Sequence, residues 1–273
     1  MSVRFESVSF SYPSGVEALR GIDLAIQDGQ AIAVIGENGA GKTTLAKHVN
    51  GLLRPSQGKV WVGDWDTSER TVAQLARRVG YVFQNPDDQL FERSVRSEVA
   101  FGPRNLGLSA VNVEAAVEAA LARVGLEAEA GRHPYDLHVC QRRLVALAAT
   151  LAMNTPIVIL DEPTTGQDAA GVERLAAIVE SLKIEGRTVI TISHDLDFCA
   201  EHFERVVLMS RGRILADGPA REVMSRGDLL AQADVEPPQV VQLSQALSLA
   251  DVPLTVEQFT TAFAASRRGE VRP

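Results

Sequence analysis

Residues 36–44 read Gly36-Glu37-Asn38-Gly39-Ala40-Gly41-Lys42-Thr43-Thr44, directly after the apolar run Ala31-Ile32-Ala33-Val34-Ile35. Leu45-Ala46-Lys47-His48-Val49 follows, a stretch of helical character. A glycine-rich turn between a buried strand and a helix N-terminus suits a polyphosphate, because free amides of the first helical turn point at it. The missing side chains at Gly36, Gly39 and Gly41 let main-chain N–H groups close around phosphate oxygens. Lys42 is placed to put its ammonium between the β- and γ-phosphates, and Thr43 to offer a hydroxyl to Mg²⁺. These residues predict a chain that binds a nucleoside triphosphate.

The 273 residues, 45% of them apolar, suffice for one large domain or a domain with an appendage. The longest apolar stretches, such as residues 144–153, fall well short of the ~18 residues that span a bilayer. The start, Met1-Ser2-Val3-Arg4, reads as the opening of a strand rather than a secretory signal. Any membrane association is therefore expected to be peripheral. Cys140 and Cys199 make neither a disulfide framework nor a metal-ligand spacing. A net charge of −8 with no basic run argues against a nucleic-acid partner.

Residues 3–12 alternate (Val3, Phe5, Val8, Phe10) and read as an edge strand. Residues 19–26 and 59–62 alternate too, so antiparallel strands are mixed with the phosphate-binding unit. From about 86 to 152 the pattern becomes helical, clearest in 113–121 and 142–152. Ile157-Val158-Ile159-Leu160 is a short apolar strand of the parallel, doubly covered kind. A helix over 171–183 and strands over 188–193 and 205–209 complete the alternation. The predicted fold is α/β: a P-loop NTPase core over 1–234, with an antiparallel β subdomain and an inserted helical subdomain at about 86–152. Glu236-Pro237-Pro238 then opens a small C-terminal helical extension, 235–273, with helix-like pieces at 240–249 and 256–265 and a frayed tail at 267–273.

Asp161 and Glu162 end the strand 157–160, where a parallel sheet would bring them to the same edge as the phosphate loop. Asp161 is expected to hold Mg²⁺ through its water shell, and Glu162 to accept a proton from the water attacking the γ-phosphate. His194, ending the strand 188–193, can hydrogen-bond the terminal phosphate and sense its loss. Gln84, after Gly80-Tyr81-Val82-Phe83, suits Mg²⁺ or the attacking water. Each of the last two is equally readable as an ordinary polar residue.

Taken in order, Tyr12, residues 36–44, Gln84, Leu160-Asp161-Glu162-Pro163-Thr164, Gln167-Asp168 and His194 resemble the ATP-binding cassette (ABC) ATPases over residues 1 to 230. The resemblance implies ATP and Mg²⁺ as ligands, with Tyr12 stacking on adenine. It makes Gln84 the Q-loop residue, Glu162 the catalytic base, Asp168 the D-loop residue and His194 the switch histidine. It also implies a head-to-tail dimer, with ATP between one subunit's P-loop and the other's signature motif. Val82-Phe83-Gln84-Asn85-Pro86-Asp87-Asp88-Gln89-Leu90-Phe91 and Glu98-Val99-Ala100-Phe101-Gly102-Pro103-Arg104-Asn105-Leu106-Gly107 narrow the likeness to the energy-coupling factor (ECF) importers of vitamins and of cobalt or nickel ions. In those, a helix after the Q-loop meets a transmembrane scaffold subunit, a separate membrane subunit selects the substrate, and a C-terminal domain aids dimerisation. The chain would then sit on the cytoplasmic face of the cell membrane.

One motif departs. The family's signature is Leu-Ser-Gly-Gly-Gln, and here the stretch is Leu137-His138-Val139-Cys140-Gln141. Val139 and Cys140 put Cβ atoms where backbone must approach an oxyanion. A heterodimer is therefore expected, in which this chain's P-loop works with a sound signature on a different ATPase subunit. A homodimer with two sluggish sites stays open, as does a non-transport regulatory ABC ATPase. A small-molecule kinase is disfavoured, because nothing resembles an acceptor-binding lid.

Overall fold

The computed structural model describes residues 1–249 and 252–267. One sheet holds β1 (Val3–Ser11), β2 (Glu17–Ile26), β4 (Gln57–Val62) and β5 (Trp65–Asp66), antiparallel throughout, in the order β2-β1-β4-β5. The other holds β3 (Ala31–Gly36), β6 (Val79–Val82), β7 (Ile157–Asp161), β8 (Thr188–Ile192), β9 (Arg205–Ser210) and β10 (Arg213–Pro219). Its order is β10-β9-β3-β8-β7-β6, parallel except for the β9–β10 hairpin.

The alternation in β1 predicts an edge strand, and the structure corrects this. β1 is an interior strand, pairing with β2 on one side and β4 on the other. Its alternation records one buried face, carrying Val3, Phe5, Val8 and Phe10. The central strands bury both faces instead. Ile32 and Val34 of β3, with Ile157 and Ile159 of β7, enter the core between the two sheets. Ala33 and Ile35, with Val158 and Leu160, enter the core on the helical side. Truncating Ile159 to alanine would open a cavity in the first core, at about 2–5 kcal/mol.

α1 (Lys42–Val49) leaves the phosphate loop, and α2 (Val72–Leu75) is a single turn. The expected helical insert contains α3 (Val95–Asn105), α4 (Ala110–Val124) and α5 (Val139–Ala152). The Ser94 hydroxyl caps α3 by accepting from the Ser97 amide at 3.1 Å, and Gly125, in the left-handed region at φ 68°, ends α4. α6 (Ala169–Ile184), α7 (Leu196–His202), α8 (Ala220–Ser225) and α9 (Gly227–Gln232) complete the core's cover.

The two C-terminal pieces form α10 (Gln239–Ala246) and α11 (Val256–Arg267). Val241 of α10, and Leu254 just before α11, are buried in the cluster that contains Phe198 and Val223. The Gln239 amide also donates to Asp197 of α7 at 3.2 Å. The fraying expected at 267–273 falls, after Arg267, outside the described residues. Among those residues no helix is long and apolar enough to cross a membrane.

Candidate active site

Because β3, β8, β7 and β6 are parallel neighbours, their carboxyl ends bring Gly36, His194, Asp161–Glu162 and Gln84 to one edge of the sheet. The loop leaving β3 can be built only with glycine at its two tightest points. Gly36 has φ 147°, and a Cβ there would run into the carbonyl oxygen of Met209. Gly41 has φ 101°, and its Cβ would meet the carbonyl oxygen of Ala18. Gly41 caps α1 without a side-chain bond, which leaves the first-turn amides for a ligand.

Lys42 is buried and donates to the carbonyls of Gly36 at 2.6 Å and Glu37 at 2.8 Å. Burial pulls its ammonium below the usual lysine range, against the opposing pull of Glu162, Asp161 and Glu37. The Ser210 hydroxyl donates to the Glu37 carboxylate at 2.8 Å and steadies the outer flank of the loop. Asn38, Gly39, Ala40, Gly41, Lys42, Thr43 and Thr44 line a cleft of about 500 Å³, together with Tyr12, Arg20 and Arg211. The Tyr12 hydroxyl is hydrogen-bonded to that of Thr44 at 3.0 Å, and its ring stands edge-on to Phe10, 4.9 Å between centroids. Tyr12 therefore sits against the loop and lines the same cleft.

The Thr43 hydroxyl donates to Asp161 Oδ1 at 3.1 Å, and the Tyr81 hydroxyl to Oδ2 at 2.7 Å. Asp161 is 2% exposed, and among the described residues it forms no ion pair. Burial pushes its carboxyl above the usual aspartate range, and raises the Tyr81 phenol likewise. A buried carboxylate beside a threonine hydroxyl is a donor set that fits Mg²⁺. Gln84 lines the same cleft as Glu162 but bonds to neither Thr43 nor Asp161. The part played by Tyr81 is absent from the sequence reading. The available signal is a phenol in an otherwise apolar strand, which needs a partner for its polar tip.

Glu162 has φ 52°, left-handed backbone in a non-glycine residue, which costs about 1 kcal/mol or more. Its amide holds this turn by donating to Ile192 of β8 at 2.8 Å. Its carboxylate, 8% exposed, accepts from His194 Nδ1 at 2.6 Å, while the His194 ring is 62% exposed. The two residues expected to act separately on the terminal phosphate are thus in direct contact.

The segment 137–141 leads into α5. The Gln141 side chain accepts from the His138 amide at 3.3 Å. The Cys140 thiol donates to the Gly166 carbonyl at 2.9 Å, and Gln167 Nε2 to the Cys140 carbonyl at 3.3 Å. Asp168 caps α6 by accepting from the Gly171 amide at 2.8 Å.

Residues 19–165 match the family described as ABC transporter. The energy-coupling factor transporter ATP-binding protein EcfA of Methanothermobacter thermautotrophicus is 40% identical over 262 residues, 94% of this chain and 84% of that protein. The cobalt import ATP-binding protein CbiO of Rhodobacter capsulatus is 42% identical over 241 residues, 88% of this chain and 86% of its own. Among solved structures, cbiO1 from Clostridium perfringens, part of the ABC transporter complex cbiONQ, superposes with a TM-score of 0.74. The two share 32% identity, over 90% of this chain and 98% of that one.

Proposed function

This chain belongs to the ABC transporter family, as an ATP-binding subunit and ATPase, and from that premise we propose that it powers an ECF-type importer of vitamins or transition-metal ions. The observation that carries the reading is the meeting of Lys42, Asp161, Glu162, Gln84 and His194 at one sheet edge. The relatives' names, energy-coupling factor transport and cobalt import, point the same way.

In this reading the triphosphate lies in the loop 36–44, and Lys42 turns from the Gly36 and Glu37 carbonyls to phosphate oxygens. Tyr12 lies along the base. Thr43, Asp161 and Gln84 hold Mg²⁺, which when bound neutralises charge on the phosphate oxygens. Glu162 takes a proton from water as the water oxygen bonds to the γ-phosphorus and the bond to the β–γ bridging oxygen breaks, leaving ADP and phosphate. The Nδ1–H of His194 fixes the rotamer of that carboxylate. General-base help of this kind contributes about 10²–10⁴ in rate.

The altered signature favours a heterodimer. Val139 and Cys140 supply side chains, not bare backbone, at the start of α5, so the site completed by this segment would hydrolyse poorly. This chain's own P-loop would work against a sound signature on a second ATPase subunit. Phe91 and Phe101 form an edge-to-face pair, 4.7 Å between centroids and 60% and 43% exposed, just beyond the Q-loop. That apolar patch would meet the transmembrane scaffold on the cytoplasmic face of the membrane, beside the substrate-binding subunit.

The test is purification from native membranes through an affinity tag on this chain. Recovery with a second ATPase and hydrophobic subunits is the expected result. Recovery of the chain alone from the soluble fraction, with full ATPase activity, would overturn the transport reading and favour a free-standing regulatory ATPase.

A further inference from the structure

Tyr12 is the first residue past β1, whose last pairing is Ser11 with Glu17. Its backbone belongs to a turn, its amide donating to the Val16 carbonyl at 2.9 Å and its carbonyl accepting from the Gly15 amide at 2.8 Å. Residues 13–16 of that turn are exposed. No ladder bond therefore fixes the direction of the half-buried Tyr12 ring.

That direction comes from side chains instead. Phe10, on the buried face of β1, stands edge-on to Tyr12 with 4.9 Å between centroids, and His48 of α1 stands edge-on to Phe10 at 4.9 Å. The Tyr12 hydroxyl is bonded to that of Thr44 at 3.0 Å, and His48 Nδ1 donates to the Thr44 carbonyl at 2.7 Å. Tyr12, Phe10, His48 and Thr44 thus close a circuit between the end of β1 and the helix that leaves the phosphate loop.

An aliphatic side chain would fill position 48 at lower cost. His48 is fully buried, and a carbonyl can only accept, so Nδ1 carries the hydrogen. Nε2 is then a bare lone pair that meets no donor among the described residues, and a buried acceptor left so is destabilising. Burial also holds the imidazole below the usual histidine range, so the ring is uncharged at neutral pH. What imidazole adds over leucine is a flat ring whose plane is set by its own hydrogen bond. That plane lies at 80° to Phe10, and Phe10 at 83° to Tyr12.

From this geometry we infer that His48 is a positioning residue for Tyr12, aiming its ring at the base, and so sets how strongly the chain prefers a nucleotide to a bare polyphosphate. The inference rests on the reading of Tyr12 as base-facing. A histidine that merely filled the core would affect every ligand of the phosphate loop alike, through the stability of α1.

Two probes with Mg²⁺ separate these roles on the full chain: a non-hydrolysable ATP analogue, and inorganic triphosphate, which has no base to stack. His48→Leu should raise the Kd for the analogue about 3- to 10-fold, the scale of one aromatic contact, and leave that for inorganic triphosphate within about 2-fold. His48→Phe keeps a flat ring in place and should recover most of the loss. In a Tyr12→Ala background His48→Leu should cost nothing further, because the ring it aims is gone. His48→Asn keeps a donor for Thr44 but removes the ring, and it carries the test if His48→Leu does not fold. Equal weakening of both probes, or unchanged analogue binding in the folded variants, would overturn the inference. A wild type that binds the analogue no more tightly than inorganic triphosphate would instead remove the base-facing reading of Tyr12 beneath it.

Discussion

Nδ1 of His194 donates to Oε2 of Glu162 across 2.6 Å, tying the loop after β8 to the end of β7. Glu162 already sits on strained backbone at φ 52°, so its carboxylate is aimed by two independent constraints. Glu162→Gln should keep ATP affinity and lose hydrolysis by at least ~100-fold, on the general-base magnitude. His194→Ala removes only the aim, and should lower kcat by about 10-fold or more with little change in affinity. Nucleotide titration beside steady-state turnover tests both. Near-normal turnover in Glu162→Gln would take the base role from it.

Lys42 presents the opposite pattern. Its ammonium is buried against the Gly36 and Glu37 carbonyls, poised where a charged ligand would replace them. Charge-assisted hydrogen bonds contribute about 1.5–3 kcal/mol, so Lys42→Ala should raise the Kd for ATP about 10- to 100-fold. Fluorescent-nucleotide titration reads this directly. Unchanged affinity with reduced turnover would show that Lys42 does not hold the ground-state triphosphate.

Much of this site is local in sequence, and for that reason legible. Gly36 and Gly41 belong to one nine-residue motif whose turn takes positive φ at both, and Asp161 and Glu162 follow a run too apolar to be anything but a buried strand. What escaped is non-local. β1 alternates whether it lies at an edge or inside, and the strand that covers it, β4, begins 46 residues after β1 ends (57 − 11). The contact of Tyr81 with Asp161 spans 80 residues, and only the β6–β7 pairing creates it. The Glu162–His194 bond needs the strand order itself, which no local pattern encodes.

Asp161 carries a testable pH dependence. Burial raises its pKa, so the folded chain holds this proton more tightly than the unfolded chain. Its contribution to stability is most favourable below the ordinary aspartate value, about 4, and is lost as pH rises from there through the raised value. At neutral pH the buried carboxylate, only partly compensated by the Thr43 and Tyr81 hydroxyls, is destabilising in the nucleotide-free protein. Asp161→Asn should raise Tm there by about 2–4 °C, the shift that about 1 kcal/mol produces at this size, while hydrolysis is lost. Thermal scans across pH measure it. A lower Tm in the variant would mean that the hydroxyls of Thr43 and Tyr81 fully compensate the charge.

Phe91 belongs to a surface rather than to the site. With 60% of it exposed and its edge against Phe101, it has the form of an interface anchor. Phe91→Ala should leave hydrolysis by the chain within about 2-fold and weaken its recovery with membrane subunits by at least ~10-fold, the loss expected from a buried aromatic anchor. Pull-down from solubilised membranes reads the effect. Equal recovery would move the docking surface elsewhere.

The departure at 138–140 yields the sharpest prediction, because stability and activity should change in opposite directions. Val139 and Cys140 open α5, and the Cys140 thiol adds a bond to the Gly166 carbonyl. Restoring the family's residues by His138→Ser, Val139→Gly and Cys140→Gly removes that bond and places two glycines at the start of a helix. Each glycine costs up to about 1 kcal/mol, so the triple variant should melt lower than the wild type. It also bares the backbone amides that an oxyanion from an opposing subunit could approach. If the degenerate segment is what limits a homodimer, the less stable variant should hydrolyse ATP faster by itself, with steeper dependence on protein concentration. Oxyanion-type donors are worth about 10²–10³ in rate, so a gain of even 10-fold would support the assignment. A triple variant that folds, dimerises and shows no gain would take the limiting role from this segment.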